Sequence, residues 1–342
     1  MNNDKIFNSL YVIGNGFDLH HGFRSGFSDY GKWLMENHPN IYYSFEEWFD
    51  IPVYDEDDDT KYDEWKNWWS YFEQRLGEIS IRPFIEYASY RAFNEAAQAE
   101  ERRACHIYGG ERIADNELSN LIDNIKGTFS EWIRSLTPGE KWYRLPLEKD
   151  SSLFLTFNYT PTLETIYSIS KERILYIHGS IESEEYILGH GLSYQEIENQ
   201  CESDDECPDC HTIEEMEQWY RSHADDFMTE QVKEVAIQRM CDLRKDVDGI
   251  IADNHTFFEQ LKDIRVIHIY GFSFSPIDLP YIHAIMSNID KNEVIWEINF
   301  FSERDKENIE NFIEKVDIPK DNVKLIRLTD IQLDPQFKIP FE

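Results

Sequence analysis

The sequence predicts an α/β protein: a Rossmann-like parallel sheet interrupted by two large, mainly helical insertions. Three observations carry that prediction. Short apolar runs stop at glycine or turn residues, as at Leu10–Ile13 before Gly14 and Ile174–Ile177 before His178-Gly179. In the last third of the chain strand-like runs alternate with helix-like stretches, a pattern that implies right-handed crossovers and a parallel sheet covered on both faces. Between these parts, residues 30–144 are rich in Trp, Tyr, Glu and Ala at helical spacing, and residues 193–262 are polar, acidic and helical in pattern.

The core is therefore expected from residues 1–29, 145–192 and 263–342. Leu10-Tyr11-Val12-Ile13 opens the sheet as a buried strand that ends in the tight turn Gly14-Asn15-Gly16. A second strand, Ser152–Phe157, runs into Asn158-Tyr159-Thr160-Pro161, where Thr160 is expected to cap a helix that Pro161 begins. Two further apolar runs, Ile174–Ile177 and Tyr186–Leu188, stop at His178-Gly179 and Gly189-His190-Gly191. The last strands are Ile264–Tyr270, Val294–Phe300 and Val323–Leu328, with helices at Leu279–Ile289 and Ser302–Val316 between them. Ser302 with Asp305 has the spacing of a capping box.

Composition limits the function classes. Hydrophobic residues make up 41% of 342 and aromatics 15%, enough to bury a large core and to exclude a disordered chain. The formal net charge of -34 opposes extended contact with a nucleic-acid backbone, which needs Lys and Arg to neutralise phosphates. Residues 46–64 hold ten acids and one Lys, and residues 196–217 hold ten acids and no base, patterns of solvated loops or of a partner-binding face. No secretory leader or membrane-length apolar run is evident, so a cytoplasmic protein is expected. The five Cys read as reduced thiols. Cys201, Cys207, Cys210 and His211 resemble a metal cluster, but no second Cys-x-x-Cys completes it, and a loop with incidental thiols is expected instead of a structural zinc site.

Ligands of parallel α/β sheets bind beyond the carboxyl ends of the strands, and the polar signals of this chain fall there. The amides of Gly14, Asn15, Gly16 and Phe17 could approach a pyrophosphate, although Leu19 takes the third glycine position of the dinucleotide fingerprint and a simple tight turn fits equally well. Asp18 could contact a ribose or only cap the following helix. His178, at a strand tip, suits a general acid or base near neutral pH, a role typically worth ~10²–10⁴-fold in rate. The competing reading of His178 is a histidine bonded to nearby backbone. His190 is a second candidate, whereas His268, inside an apolar run, reads as a core residue.

Five segments, LYVIGNGFDLHHG, FLTFNYTPTLE, YIHGS, ILGHG and IYGFSFSPIDLPYI, together resemble the AbiH family of bacteriophage abortive infection proteins. That family more distantly resembles sirtuin-like NAD-binding enzymes, with a glycine-rich first turn, a Thr-x-Asn-x-Asp segment, a His-Gly pair and a Gly-x-Ser turn. The resemblance implies that Gly14, Asn15, Gly16, Phe17, Thr156, Gly271, Ser273 and Asp278 hold NAD as substrate. It further implies that Asn158 positions the nicotinamide ribose and that His178 is the base. Thr160 stands where that pattern has Asp, and Asp18 is expected to supply the missing carboxylate. With no paired Cys-x-x-Cys module, hydrolysis of NAD is implied ahead of deacylation.

Two other functions compete. One is a nucleotide-binding sensor or interaction protein without turnover; the other is a metal-dependent nuclease using Asp18, His20, His21, His178 and His190, which the net charge disfavours. The expected ligand is a small nucleotide, neither nucleic acid nor a membrane being expected, and the insertions offer a face to a protein partner or a second copy.

Overall fold

The computed structural model describes residues 7–98, 109–183, 186–201, 212, 227–333 and 335–337. It divides into two compact units, one of Met1–Trp33, Phe129–Ile187 and Asp246–Glu342, the other of Leu34–Thr128 and Leu188–Lys245. In chain order the strands are β1 (Ser9–Ile13), β2 (Lys141–Tyr143), β3 (Ser152–Thr156), β4 (Ile174–Tyr176), β5 (Val266–Tyr270), β6 (Ile295–Asn299), β7 (Val323–Ile326) and β8 (Pro335–Phe337).

The first unit is built on a six-stranded sheet in the order β4-β3-β1-β5-β6-β7. Every pairing in it is parallel. Numbered by appearance within that sheet, the order is third, second, first, fourth, fifth, sixth, the Rossmann arrangement, with its topological switch between β1 and β5. Ile13 is level with Thr156 on one side and Tyr270 on the other, and Thr156 is level with Tyr176. The expected strand ends therefore share one edge. β2 and β8 form a separate antiparallel pair.

Strand alternation divides the core between two faces. Leu10, Val12, Leu155, Ile267, Ile269, Trp296 and Ile298 pack with Tyr281 and Ile285 of the helix Leu279–Met286 and with Ile309 and Phe312 of the helix Glu303–Lys315. Tyr11, Ile13, Phe154 and Tyr270 pack on the opposite face with Phe17, Leu163 and Tyr167. Apolar residues on both faces are what a parallel sheet covered on both sides requires. The capping box of Ser302 and Asp305 is present.

Two local expectations are corrected. Thr160 does not cap a helix: Pro161 takes the N-cap of the short helix Thr162–Thr165, and the Thr160 hydroxyl donates to Asp18 instead. A carboxylate buried without a cation needs donors more than an exposed helix end does. Tyr186–Leu188 is not a strand. It is irregular chain tied by single bonds, Ile187 N to the His178 carbonyl at 3.0 Å and the Tyr159 hydroxyl to the Ile187 carbonyl at 3.0 Å.

The second unit combines parts of both insertions, and its described elements are helices. Ile81–Gln98, Tyr194–Cys201 and Phe227–Asp242 pack on one another. Its aromatic residues fill a core in which Trp65, Trp69, Phe45 and Phe72 are almost fully buried and the Trp65 indole donates to the Tyr42 hydroxyl at 3.0 Å. Lys245, with its side chain shielded from solvent, pairs with Glu73 at 2.7 Å. Glu73 and Lys245 come from different insertions, so this pair ties one to the other, and removing one partner would strand a charge. Among the described residues no helix is long and apolar enough to cross a membrane.

Candidate functional site

The carboxyl edge of the first unit is held by two backbone turns that cross at the switch point. Gly14 N donates to the Tyr270 carbonyl at 3.0 Å and Gly16 N to the Gly271 carbonyl at 2.9 Å. A Cβ on Gly16 would lie 2.7 Å from Gly271 Cα, and one on Gly271, where φ is +68°, would lie 2.1 Å from Phe17 N. The glycines therefore serve the approach of one turn to the other, and the amides of Gly14 and Gly16 are committed to that crossing. Phe17 is buried beside Tyr167, whereas Asn15 is exposed and its Oδ1 accepts from Ser25 at 2.5 Å.

From the first turn of the helix Asn15–His20, Asp18 points into the interior with only 1% of its surface exposed. One carboxylate oxygen accepts from the Thr160 hydroxyl and the other from the Thr162 hydroxyl at 2.7 Å. Burial pushes the Asp18 carboxyl up to about 6, against the opposing effect of hydrogen bonds from Thr160, Thr162 and Asn158. Asn158, also buried, donates from Nδ2 to the Gly14 carbonyl at 3.1 Å, and its backbone amide donates to the Thr156 hydroxyl at 3.1 Å. Asp18, Asn158, Thr160 and the Gly14 turn thus form one bonded cluster. Thr162 joins it without a sequence signal beyond its place after Pro161.

His178 follows β4 by two residues, in a turn where Gly179 has φ +84° and its amide donates to the Tyr176 carbonyl at 3.1 Å. The imidazole is enclosed by the rings of Phe157, Tyr159 and Tyr281. Its Nε2 lies 3.6 Å from Oδ1 of Asp278, and the two side chains are 4% and 11% exposed.

The remaining candidates have other surroundings. His21 is bonded through Nδ1 to the Phe17 carbonyl and through Nε2 to the Tyr167 hydroxyl, both at 2.7 Å, and burial lowers it to about 4. His20 meets the Tyr143 carbonyl at 3.1 Å, and burial lowers it as well. His190 belongs to the second unit, where Nε2 lies 3.0 Å from the Met240 carbonyl and Nδ1 accepts from Leu192 N at 3.2 Å. Cys207, Cys210 and His211 lie outside the described residues, and Cys201 is a buried free thiol. Among the described residues no group of three or more His, Cys, Asp or Glu is arranged to hold a metal ion.

Ser273 is exposed and lines, with Phe274, Leu279, Asn308, Asn311, Phe312 and Lys315, a cavity of about 340 Å³ beside the turn after β5. That volume is at the lower end of small-molecule sites, typically about 300–1,000 Å³. None of Asp18, Asn158 or His178 is among the residues lining it.

The family model for bacteriophage abortive infection AbiH proteins matches residues 10–300, a span that takes in Asp18, Asn158, His178 and Asp278. No curated protein matches the chain.

Proposed function

The chain belongs to the bacteriophage abortive infection AbiH family, and from that premise we propose that its abortive-infection role is exerted by hydrolysing NAD at the nicotinamide glycosidic bond. The observation that carries the reading is the cluster at the carboxyl edge of the sheet, where the turn after β1 meets the turn after β3. There Asn158 bonds to the Gly14 carbonyl and Asp18 bonds to Thr160, at the edge where Rossmann sheets take dinucleotides.

Cleavage passes through an oxocarbenium-like centre, so the protein must hold the ribose, exclude bulk water and orient one water molecule. Asn158 spends its amide donor on Gly14, which leaves Oδ1 to accept from a ribose hydroxyl or the attacking water. His178 takes the proton of that water as the new C–O bond forms, while the C–N bond breaks and its electron pair leaves with nicotinamide. Asp18 supplies the carboxylate that the sirtuin-like pattern carries at the position of Thr160. With both its oxygens engaged, it acts by holding the turn around Asn158.

Incubation of the purified protein with NAD tests the reading. Stoichiometric release of nicotinamide and ADP-ribose is expected, and it should disappear in Asn158→Ala. Saturable NAD binding with no nicotinamide released would assign the edge to sensing and end the hydrolase reading.

A further inference from the structure

We propose that Asp278 is the positioning residue of His178, so that the two form a His–Asp dyad; this rests on the hydrolase reading for its chemistry but not for its test. Asp278 was expected to contact the nucleotide. The structure brings its Oδ1 to 3.6 Å from His178 Nε2, with both side chains almost wholly out of solvent. The two residues reach each other from different crossovers: His178 from the turn after β4, Asp278 from the connection between β5 and the helix Leu279–Met286.

A further feature favours the assignment. The rings of Phe157, Tyr159 and Tyr281 stand 5.3, 6.4 and 5.7 Å from the imidazole and wall it from water. Tyr159 and Tyr281 are the titratable groups among these rings, and Asp278 brings a carboxylate to the same imidazole.

A carboxylate beside Nε2 keeps the proton on that nitrogen and so presents Nδ1 as the basic one. It also stabilises the imidazolium formed when Nδ1 takes a proton from water. The 3.6 Å separation is longer than a good hydrogen bond, as such pairs often are before substrate binds.

The test is ¹⁵N NMR of His178 in the full chain, compared with Asp278→Asn and Asp278→Ala, with turnover measured in parallel. The parent should show the Nε2-protonated tautomer. In both variants this preference should be lost and the imidazole should titrate about one pH unit lower or more, since a neighbouring carboxylate favours the charged form. Where turnover exists, kcat should fall ~10²–10⁴-fold with little change in KM. Identical tautomer and titration in parent and Asp278→Asn would overturn the dyad. A parent without turnover but with the NMR differences would keep the dyad and remove only the NAD reading. If Asp278→Ala fails to fold, the near-isosteric Asp278→Asn decides alone.

Discussion

Two carboxylates of the same unit, Asp18 and Glu297, are pushed in opposite directions, and their surroundings explain why. Asp18 is buried among hydroxyl and amide donors and is raised to about 6 by desolvation. Glu297, midway along β6, is lowered to about 2, chiefly by its bond to His268, with Lys324 and Tyr270 helping against partial burial. Its Oε1 meets His268 Nδ1 at 3.1 Å and the Tyr270 hydroxyl at 2.7 Å, and Oε2 accepts from Lys324 at 2.6 Å. Neutral donors satisfy the geometry of a buried carboxylate but do not offset the loss of hydration, whereas cationic donors do. A carboxylate that the fold holds at a stability cost is the better functional candidate of the two, while one that stabilises the fold needs no other explanation.

The sharpest test of this division is activity. Asn158→Ala and His178→Ala should each lower turnover by ~10²–10⁴-fold. His178→Ala should melt near the parent temperature, whereas Asn158→Ala should also cost about 1 kcal/mol or more of stability, because Asp18 and the Gly14 carbonyl lose a buried donor. Glu297→Gln should keep turnover within about twofold, because the mid-strand cluster lies away from the carboxyl edge. Equal losses in all three variants would erase the distinction.

The next effect concerns the rigidity of the edge beside Asp18. Gly271→Ala would force a Cβ to 2.1 Å from Phe17 N at a positive φ. A loss of about 3 kcal/mol or more in denaturant unfolding is expected, combining backbone strain with a displaced turn. A loss below about 1 kcal/mol would mean that the two turns separate easily.

The pH dependence of stability then distinguishes the carboxylates directly. Because the folded pKa of Asp18, about 6, exceeds its unaltered value of 3.8, the contribution of its proton to stability is complete below the lower value and is lost as pH rises through 6. Asp18→Asn should therefore gain on the parent by about 2 kcal/mol between pH 4 and pH 7. A constant gap between parent and variant in urea titrations across that range would contradict the assignment.

Glu297 has the opposite sign and the smallest effect. Its folded pKa of about 2 lies below the ordinary 4.5, so its contribution is present above 4.5 and is lost as pH falls through 2. Glu297→Gln should cost about 1 kcal/mol at pH 7, allowing for solvent screening at a partly exposed site. The cost should vanish near pH 2. A deficit that persisted there would point to packing rather than charge.

The elements of the sheet were legible in the sequence because their signals are local. Apolar runs such as Leu10–Ile13 and Ile264–Tyr270 bury both faces of a strand, and the glycines after them mark where the ladder stops. Asn158 and His178 were legible for the same reason, since each follows such a run. Tyr186–Leu188 has the same apolar character, yet among the described residues no strand pairs with it, and strand identity depends on a partner as much as on composition.

What the chain alone determined, then, was which residues stand at strand ends. Tertiary structure decided which of them meet. The crossing of the Gly14 and Gly271 turns, the choice of Asp18 by the Thr160 hydroxyl, and the approach of Asp278 to His178 join residues that are roughly 100 to 250 positions apart. Such pairings follow from the order β4-β3-β1-β5. That order is set by which crossovers can bury their helices on the sheet, a property of the assembled layers that no local run of residues carries.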